Sequence, residues 1–271
     1  MDLSTLLGFI IGFAGLIVGF ALEEGNLASL ILLSPAVIVI GGTIGAVMVS
    51  HKMSDIQKIP RLFKEAFIVQ KVKTEDTIDM IVKLAGIARK EGLLSLEETL
   101  TEGELATKVD PMMKKGIMLA VDGNSSEVIL DIMQTEVYLM ESDRKGEIAI
   151  FEAAGGFSPT MGIIGTVMGL VTVLGNLADP EELARSIAAA FIATLYGVVL
   201  ANLVYLPIAS KLKFKLKDEK LEKQLIIEGV VSLNAGESPL IIKEKLQCFL
   251  PKVTKKTKPT KNDEKQDVAA E

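Results

Sequence analysis

The residues with a capacity for chemistry in the apolar parts of this chain are threonines and prolines. They lie in long stretches without a charged residue and comprise Thr160, Thr166, Thr172, Thr194, Pro35, Pro159 and Pro207. A proline frees the backbone carbonyl four residues before it, because its nitrogen has no hydrogen to donate. Hydroxyl and carbonyl oxygens are the ligands that hard cations prefer. The pattern indicates either cation passage or, more simply, threonines that bond to their own helix and prolines that bend it.

The rest of the sequence offers few residues for enzymatic or metal chemistry. Cys248 is the only cysteine and His51 the only histidine, which excludes a disulfide framework and makes a Cys/His zinc site nearly impossible. A Ser-His-Asp triad would have His51 as its one possible base. No pair of carboxylates marks a recognisable catalytic site, so an enzyme is the least expected class and we expect no cofactor. The net charge of -6 argues against nucleic-acid binding.

The composition predicts closely packed membrane helices. Apolar residues make up 49% of the chain, with 23 glycines and no tryptophan, and the mean hydropathy is +0.40. Four runs without a charge are long enough to cross a hydrocarbon core of about 30 Å; they cover residues 3–22, 25–50, 153–178 and 186–210. Small residues recur at helical spacing in three of them: Gly8, Gly12, Gly15, Gly19, Gly41, Gly45, Gly165 and Gly169. This spacing favours a bundle or an oligomer.

The distribution of basic residues predicts the orientation in the membrane. The connectors 23–26 and 179–185 contain one arginine between them, whereas lysines and arginines follow the second and fourth runs. Short loops rich in these residues stay in the cytoplasm. The sequence therefore predicts an all-α integral membrane protein with four transmembrane helices, a helical cytoplasmic domain, and both termini inside.

Helical periodicity organises the parts outside the four runs. An amphipathic stripe over residues 55–70 predicts a helix in the membrane interface. A helix that starts at Thr74 should stop at Gly92, and a long helix should begin at Ser126 and run straight into the third span. Shorter helices are predicted near residues 96–105, 111–121 and 239–249, and a longer one over 211–231.

Five segments follow from these features. They are residues 1–50, two membrane helices with a short outside loop; 51–147, a cytoplasmic helical domain; 148–210, membrane helices three and four; 211–250, C-terminal cytoplasmic helices; and 251–271, a disordered lysine-rich tail.

Several motifs resemble one known family. Residues 158–170 read SPTMGIIGTVMGL and residues 193–202 read ATLYGVVLAN. Residues 88–97 read ARKEGLLSLE, and GESP at 236–239 is followed by EKL at 244–246 and FLP at 249–251. These motifs are similar to those of the flagellar stator A subunits, the MotA/PomA family. The likeness covers roughly residues 1–251, and the motifs come in the family's order on the predicted sides of the membrane.

The resemblance implies a function and a set of partners. Members of the family form a ring of A subunits, expected to be a pentamer, around a dimer of a MotB/PomB-type subunit, whose single membrane helix supplies an Asp. Protons or sodium ions pass this site into the cell, and the ring then moves against the rotor protein FliG. An Asp from a partner would account for the absence of Asp, Glu, Lys, Arg and His from the four runs. The expected location is the bacterial cytoplasmic (inner) membrane, which the chain crosses several times and where it contacts membrane lipids.

The resemblance also assigns residues to roles. Pro159 and Pro207 correspond to the functional prolines of spans three and four, and Thr194 matches a hydroxyl near the ion site. Thr166 stands where sodium-driven members have threonine and proton-driven members often have alanine, which favours sodium and leaves protons open. In the cytoplasm, the charged residues that pair with the rotor correspond to Arg89, Lys90, Glu97 and Glu98. Without the resemblance, those four would be an ordinary solvated face.

Two other functions compete with this interpretation. The first is an ExbB/TolQ-type subunit that energises envelope transport, although such subunits usually have three spans and lack the motif at residues 88–97. The second is a passive membrane scaffold, which would leave Thr166, Thr194 and Pro207 without a role.

Overall fold

The computed structural model describes residues 2–69, 74–102, 105–175 and 180–250, and within these ranges all regular structure is helical. Four helices are long and apolar enough to cross a membrane, which confirms the predicted number. We call them spans one to four: Leu3–Leu22, Leu27–Ser50, Ser126–Gly175 and Pro180–Asn234. The predicted lysine-rich tail at 251–271 lies outside the described residues.

Span one begins where Asp2 caps it. The Asp2 carboxylate accepts hydrogen bonds from the amides of Ser4 and Thr5 at 3.2 and 3.4 Å and pairs with Lys211. The hydrogen bond from Lys211, followed by that from the Ser4 side chain, holds the pKa of Asp2 well below its usual range. The start of span one is thereby joined to the end of the apolar run in span four.

Spans two and four each contain a π-helical turn. In span two the turn covers Val37–Gly41, and in span four it covers Leu200–Tyr205, just before Pro207. The amide of Leu206 donates to the carbonyl of Ala201, five residues back, instead of the usual four. A wider turn at this point accommodates a proline, which cannot continue the regular hydrogen-bond ladder.

Span three runs without interruption from Ser126 to Gly175, as predicted. Its first part is charged and its last part is the apolar run that starts at residue 153. The predicted run continued to residue 178, but residues 176–179 lie outside the described ranges. Span four likewise continues beyond its apolar run, so both helices extend well past the length that a membrane requires.

The chain divides into two compact units, and the first contains the apolar runs: residues 1–72 and 131–224. Its segment 55–70, predicted as one helix, is instead two short helices, Met53–Ile56 and Ile59–Ala66. Pro60 lies in the first turn of the second helix, a position where its missing amide hydrogen costs nothing. Of the apolar stripe, Leu62 and Ala66 are buried, whereas Phe63 is exposed. The core cluster of this unit comprises Leu62, Ala66, Ile148, Phe151, Ile208, Ala209, Leu212 and Leu216.

The second unit comprises residues 73–130 and 225–271. Its separate helices are Thr74–Glu91, Ser95–Thr101, Pro111–Val121 and Pro239–Gln247. The first ends as predicted at Gly92, whose φ of 88° is the left-handed conformation that glycine adopts without strain. Apolar side chains of both segments are fully or almost fully buried here, among them Ile81, Leu84, Leu225, Ile226, Val230, Ile242 and Leu246.

Candidate functional site

Spans three and four approach each other at small residues. A Cβ atom added to Gly197 would lie 2.5 Å from the carbonyl oxygen of Ser158, and one added to Gly162 would lie 2.9 Å from that of Ala193. The corresponding atom on Gly165 would meet the Ala193 methyl at 2.6 Å. Only glycine therefore fits at these positions, and the two backbones are in direct contact.

Thr166 and Thr194 meet across this contact. Their hydroxyl oxygens are 2.5 Å apart, and the Thr166 hydroxyl also lies 3.0 Å from the carbonyls of Gly162 and Ala190. Both threonines are half-buried. Span three contributes one hydroxyl and one carbonyl to this group of four oxygens, and span four contributes the other two, so the two helices share one polar cluster in an apolar region.

The other predicted hydroxyls are bonded within their own helix. Thr160 donates to the carbonyl of Phe157 at 2.7 Å and Thr172 to that of Met168 at 3.2 Å, and both are exposed. The simpler interpretation of membrane threonines therefore holds for these two. The structure separates them from Thr166 and Thr194, which the sequence pattern alone did not.

The two prolines assigned to the ion pathway differ in burial and in their neighbours. Pro159 is inside span three, half-buried, where its Cα would lie 3.1 Å from a Cβ on Gly197. Pro207 follows the π-helical turn and is exposed in the single chain. It lines a groove of about 450 Å³ together with Gly8, Phe9 and Leu203, between spans one and four. The structure thus brings Pro159 next to the contact of spans three and four and leaves Pro207 outside it.

Two polar residues of this region had no role in the sequence interpretation. Ser158 is completely buried and donates to the carbonyl of Gly197 at 3.0 Å. Tyr196 donates to the carbonyl of Leu30 and accepts a hydrogen bond from the amide of Leu32 at 3.1 Å, which ties span four to the start of span two. The sequence signal that could have indicated these residues is their position: Ser158 directly precedes Pro159, and Tyr196 directly precedes Gly197.

The oxygen cluster contains no ionisable group. In the parts of the chain that the structure describes, no three His, Cys, Asp or Glu residues come together to hold a metal. Threonine hydroxyls and amide carbonyls can coordinate a passing cation or orient water, but they cannot take up a proton near neutral pH. A titrating group for ion transfer must therefore come from outside the cluster.

The four charged residues predicted for rotor contact lie around one turn of the second unit. Arg89 and Lys90 end the Thr74–Glu91 helix, and Glu97 and Glu98 begin the Ser95–Thr101 helix, with Gly92 between them. All four are exposed, and none forms an ion pair with another described residue. The turn therefore presents basic and acidic side chains close together, free to meet a partner.

A buried charge cluster lies in the first unit beyond the apolar runs. Arg144, only 15% exposed, forms ion pairs with Glu65, with Glu147 at 2.9 Å and with Glu219 at 3.7 Å. Lys58 also reaches Glu147, at 3.2 Å, and its hydrogen bonds to Asp55 and then to Glu147 raise its pKa. No pattern in the sequence marks Arg144 and its carboxylate partners as a cluster. The cluster joins the two short helices to spans three and four. Burying charges costs hydration free energy, which offsets their mutual attraction, so the cluster contributes more to the orientation of these helices than to stability.

Comparison with known proteins agrees with this arrangement. Residues 104–224 match the MotA/TolQ/ExbB proton channel family, and residues 6–92 match a model described as Motility protein A N-terminal. The chain is similar to Motility protein A of Bacillus subtilis (strain 168), with 39% identity over 252 residues that cover 93% of this chain and 92% of the relative.

Two solved structures share the fold over nearly the whole chain. The structure of C. jejuni MotAB has a TM-score of 0.85 and 32% identity, covering 93% of this chain and 97% of that chain. The flagellar MotAB stator complex from Bacillus subtilis has a TM-score of 0.82 and 39% identity, covering 91% of this chain and 95% of that chain.

Proposed function

The chain belongs to the MotA/TolQ/ExbB proton channel family, and we propose from this premise that it is the A subunit of a flagellar stator. In such a complex, cation flow through the membrane generates torque on the rotor. The similarity to two MotAB complexes supports a MotB-type partner and an oligomeric assembly, and the family is one of ion channels, not of enzymes. The observation that carries the proposal is the shared oxygen cluster of spans three and four, which lacks the titrating group that ion transfer needs.

The partner is proposed to supply that group. A MotB-type subunit with one membrane helix would place an Asp near Thr166 and Thr194, inside a ring of A subunits that we expect to contain five copies. An Asp in the partner and hydroxyls in this chain together give the ligands that a cation requires. A membrane potential supplies about 2.3 kcal/mol per elementary charge per 100 mV, which is a usable input for a conformational stroke.

The proposed topology places the complex in the bacterial cytoplasmic membrane. The lysines that follow the second and fourth apolar runs support a cytoplasmic location of both termini and of residues 51–147. Residues 148–210 carry the ion pathway, and residues 211–250 return to the cytoplasm. The second compact unit would then be available to the rotor.

The driving ion is proposed to be sodium, because Thr166 supplies a hydroxyl at the position that differs between sodium-driven and proton-driven members. The test is swimming of a stator-deleted cell that expresses this chain with its partner, over a range of external sodium at constant pH and ionic strength. We expect motility to rise with sodium and to be lost in Thr166→Ala and Thr194→Ala. Motility that ignores sodium but is abolished by a protonophore would establish protons as the driving ion.

A matched hydroxyl provides the control for this test. Thr172 is in the same span as Thr166 but bonds only to its own helix and is exposed. Thr172→Ala should therefore keep both the motility and its sodium dependence. A complex that is inserted and associated but drives no motility under either gradient would contradict the stator function itself.

The proposed rotor contact is the turn that presents Arg89, Lys90, Glu97 and Glu98, and the proposed partner is FliG. Charge complementarity at a transient contact mainly steers association and sets its register. We expect Arg89→Glu and Glu97→Lys to weaken motility while membrane insertion and ion conductance stay unchanged. Lys83→Glu makes the same charge change at an exposed position about 9 Å before Arg89 along the same helix, away from the turn, so it should leave motility intact. A loss of expression in the Arg89 or Glu97 variants would contradict the assignment.

An ExbB/TolQ-type function is the alternative that this family also contains. The four spans and the match of residues 6–92 to the Motility protein A model favour the stator over it. The motif at residues 88–97, which ExbB/TolQ-type subunits lack, supports the same choice.

A further inference from the structure

A cavity of about 690 Å³ opens in the first unit beside the short helix Ile59–Ala66. Its walls differ in character. Arg61, Lys64, Ile68 and Val69 are exposed, whereas Lys215 is only 6% exposed. The cavity thus combines basic side chains, apolar side chains and an opening to the surroundings, and neither ion passage nor the proposed rotor contact uses it.

The charges of the cavity leave a positive surplus at its open side. Each of its three carboxylates, Glu65, Glu147 and Glu219, is already paired with Arg144. The Lys215 ammonium donates to the backbone carbonyls of Glu65 and Ile68. Arg61 and Lys64 form no ion pair with a described residue, so two cations face the opening without an internal partner. An anion is the ligand that this arrangement lacks.

The position of the cavity along the helices corresponds to the headgroup layer. Lys215 follows the end of the fourth apolar run, at residue 210, by about 7 Å of helix, at 1.5 Å per residue. Arg144 precedes the start of the third run, at residue 153, by about 14 Å on the same measure. The polar layer on each side of a bilayer is roughly 5–8 Å thick. The cavity therefore begins at the outer edge of the headgroup layer and extends toward the cytoplasm.

Apolar side chains beside the basic ones distinguish a lipid from a free anion. Ile68 and Val69 line the cavity and are 48% and 51% exposed, and Phe63 in the preceding helix is 41% exposed. Exposed apolar groups next to Arg and Lys at the level of the headgroups are typical of a segment that contacts an anionic lipid with both its phosphate and its chains. A soluble phosphate would gain nothing from them.

We propose that this cavity binds the phosphate headgroup of an anionic phospholipid, with Arg61 and Lys64 on the phosphate and Ile68 and Val69 against the start of the acyl chains. The bound lipid would complete the charge cluster that orients the Ile59–Ala66 helix. The site is distinct from general contact with the bilayer, because it depends on two particular side chains and one cavity.

The experiment uses the whole complex with its partner subunit, purified in detergent and examined by native mass spectrometry with added phosphatidylglycerol or phosphatidylcholine. We expect retained phosphatidylglycerol on the wild-type complex and little phosphatidylcholine. The double variant Arg61→Gln/Lys64→Gln should bind phosphatidylglycerol about 10- to 30-fold more weakly, since each basic group near an anionic lipid contributes a several-fold factor. Each single variant should lose several-fold.

Lys52→Gln is the matched control. Lys52 is exposed at the end of span two, forms no ion pair with a described residue and does not line the cavity. Its variant should retain phosphatidylglycerol as the wild type does. Equal retention in the double variant, an equal loss in Lys52→Gln, or competition by inorganic phosphate as strong as by the lipid would each overturn the proposal. The thermal unfolding temperature of the single variants should be unchanged in lipid-free detergent. A loss of lipid binding can then be attributed to the site and not to a folding defect.

Discussion

Spans one and three contain similar glycine patterns but use them differently. In span three, Gly162 and Gly165 are packed against Ala193 and leave no room for a side chain. In span one, Gly8, Gly15 and Gly19 have no other residue within 4 Å of the place where a Cβ would be. The most apolar part of span one is not buried at all within this chain, although its mean hydropathy of 2.4 exceeds the 1.7 of span three.

The difference shows that small residues permit close packing without requiring it. A glycine stripe becomes a contact only where a second helix presents a complementary surface, and in span three that helix is span four of the same chain. In span one only Gly12 meets another helix, with a Cβ that would lie 3.0 Å from the Leu203 side chain, and the rest of the stripe is open to lipid or to other subunits. Spans three and four are therefore the closely packed pair of the membrane region, and span one is its more open side.

The largest expected effect breaks the contact of spans three and four. Gly197→Ala would place a methyl group 2.5 Å from the Ser158 carbonyl, which is backbone and cannot move aside. We expect overpacking to cost about 1–3 kcal/mol and to separate the threonine pair. Thermal unfolding of the purified complex and swimming should both fall. Wild-type values for both would show that the two helices are not in contact at Gly197.

A smaller effect is expected from the shared oxygen cluster. Thr166→Val keeps the shape of the side chain but removes the hydroxyl that meets Thr194 and the Ala190 carbonyl. Interhelical hydrogen bonds in membranes contribute about 1–2 kcal/mol, so thermal stability should fall modestly. Ion-driven motility should fall much more, because the lost oxygen belongs to the proposed pathway. If motility falls only as much as thermal stability does, the role of Thr166 is structural and the residue is not part of the ion pathway.

Ser158 sharpens the comparison within the same contact. Its hydroxyl is buried and bonds to Gly197 at 3.0 Å, outside the threonine cluster. Ser158→Ala should cost about 0.6–1.7 kcal/mol of stability and leave the sodium dependence of swimming unchanged. A changed ion dependence, measured as in the Thr166 experiment, would extend the pathway to this level of the membrane.

The smallest effect is expected in span one. Gly15→Ala adds a methyl group where this chain leaves open space, and alanine favours helix more than glycine by about 1 kcal/mol. The stability of the complex should stay the same or rise slightly. A clear loss of assembly, seen by size-exclusion chromatography, would show that another subunit covers this stripe and would remove the contrast with span three.

Much of the architecture was predictable from local pattern. Charge-free runs gave the four spans, Gly92 marked a helix end, and the helix from Ser126 into span three is continuous as expected. The prediction of a single helix over residues 55–70 was wrong. The apolar periodicity continues across the break between the two short helices, and Pro60, which marks the start of the second, was given too little weight. The predicted roles of the site residues and the boundaries of the five segments stay predictions.

The site was only partly predictable, since residue type does not reveal which hydroxyl has a partner. Thr160, Thr166, Thr172 and Thr194 looked alike in sequence, yet two bond to their own helix and two meet across helices. Tyr196 and Ser158 gained partners far away in the chain, at Leu30 and Gly197.

The sequence by itself determined the number of spans, the helical class and the absence of Asp, Glu, Lys, Arg and His from the apolar runs, because hydrophobicity and length act locally along the chain. The tertiary structure alone decided which glycines are in contact, which threonines pair and how Arg144 gathers three carboxylates. Those outcomes depend on how each helix is rotated about its axis relative to its neighbour. Successive residues point in directions about 100° apart, so a modest rotation changes which side chains face the other helix.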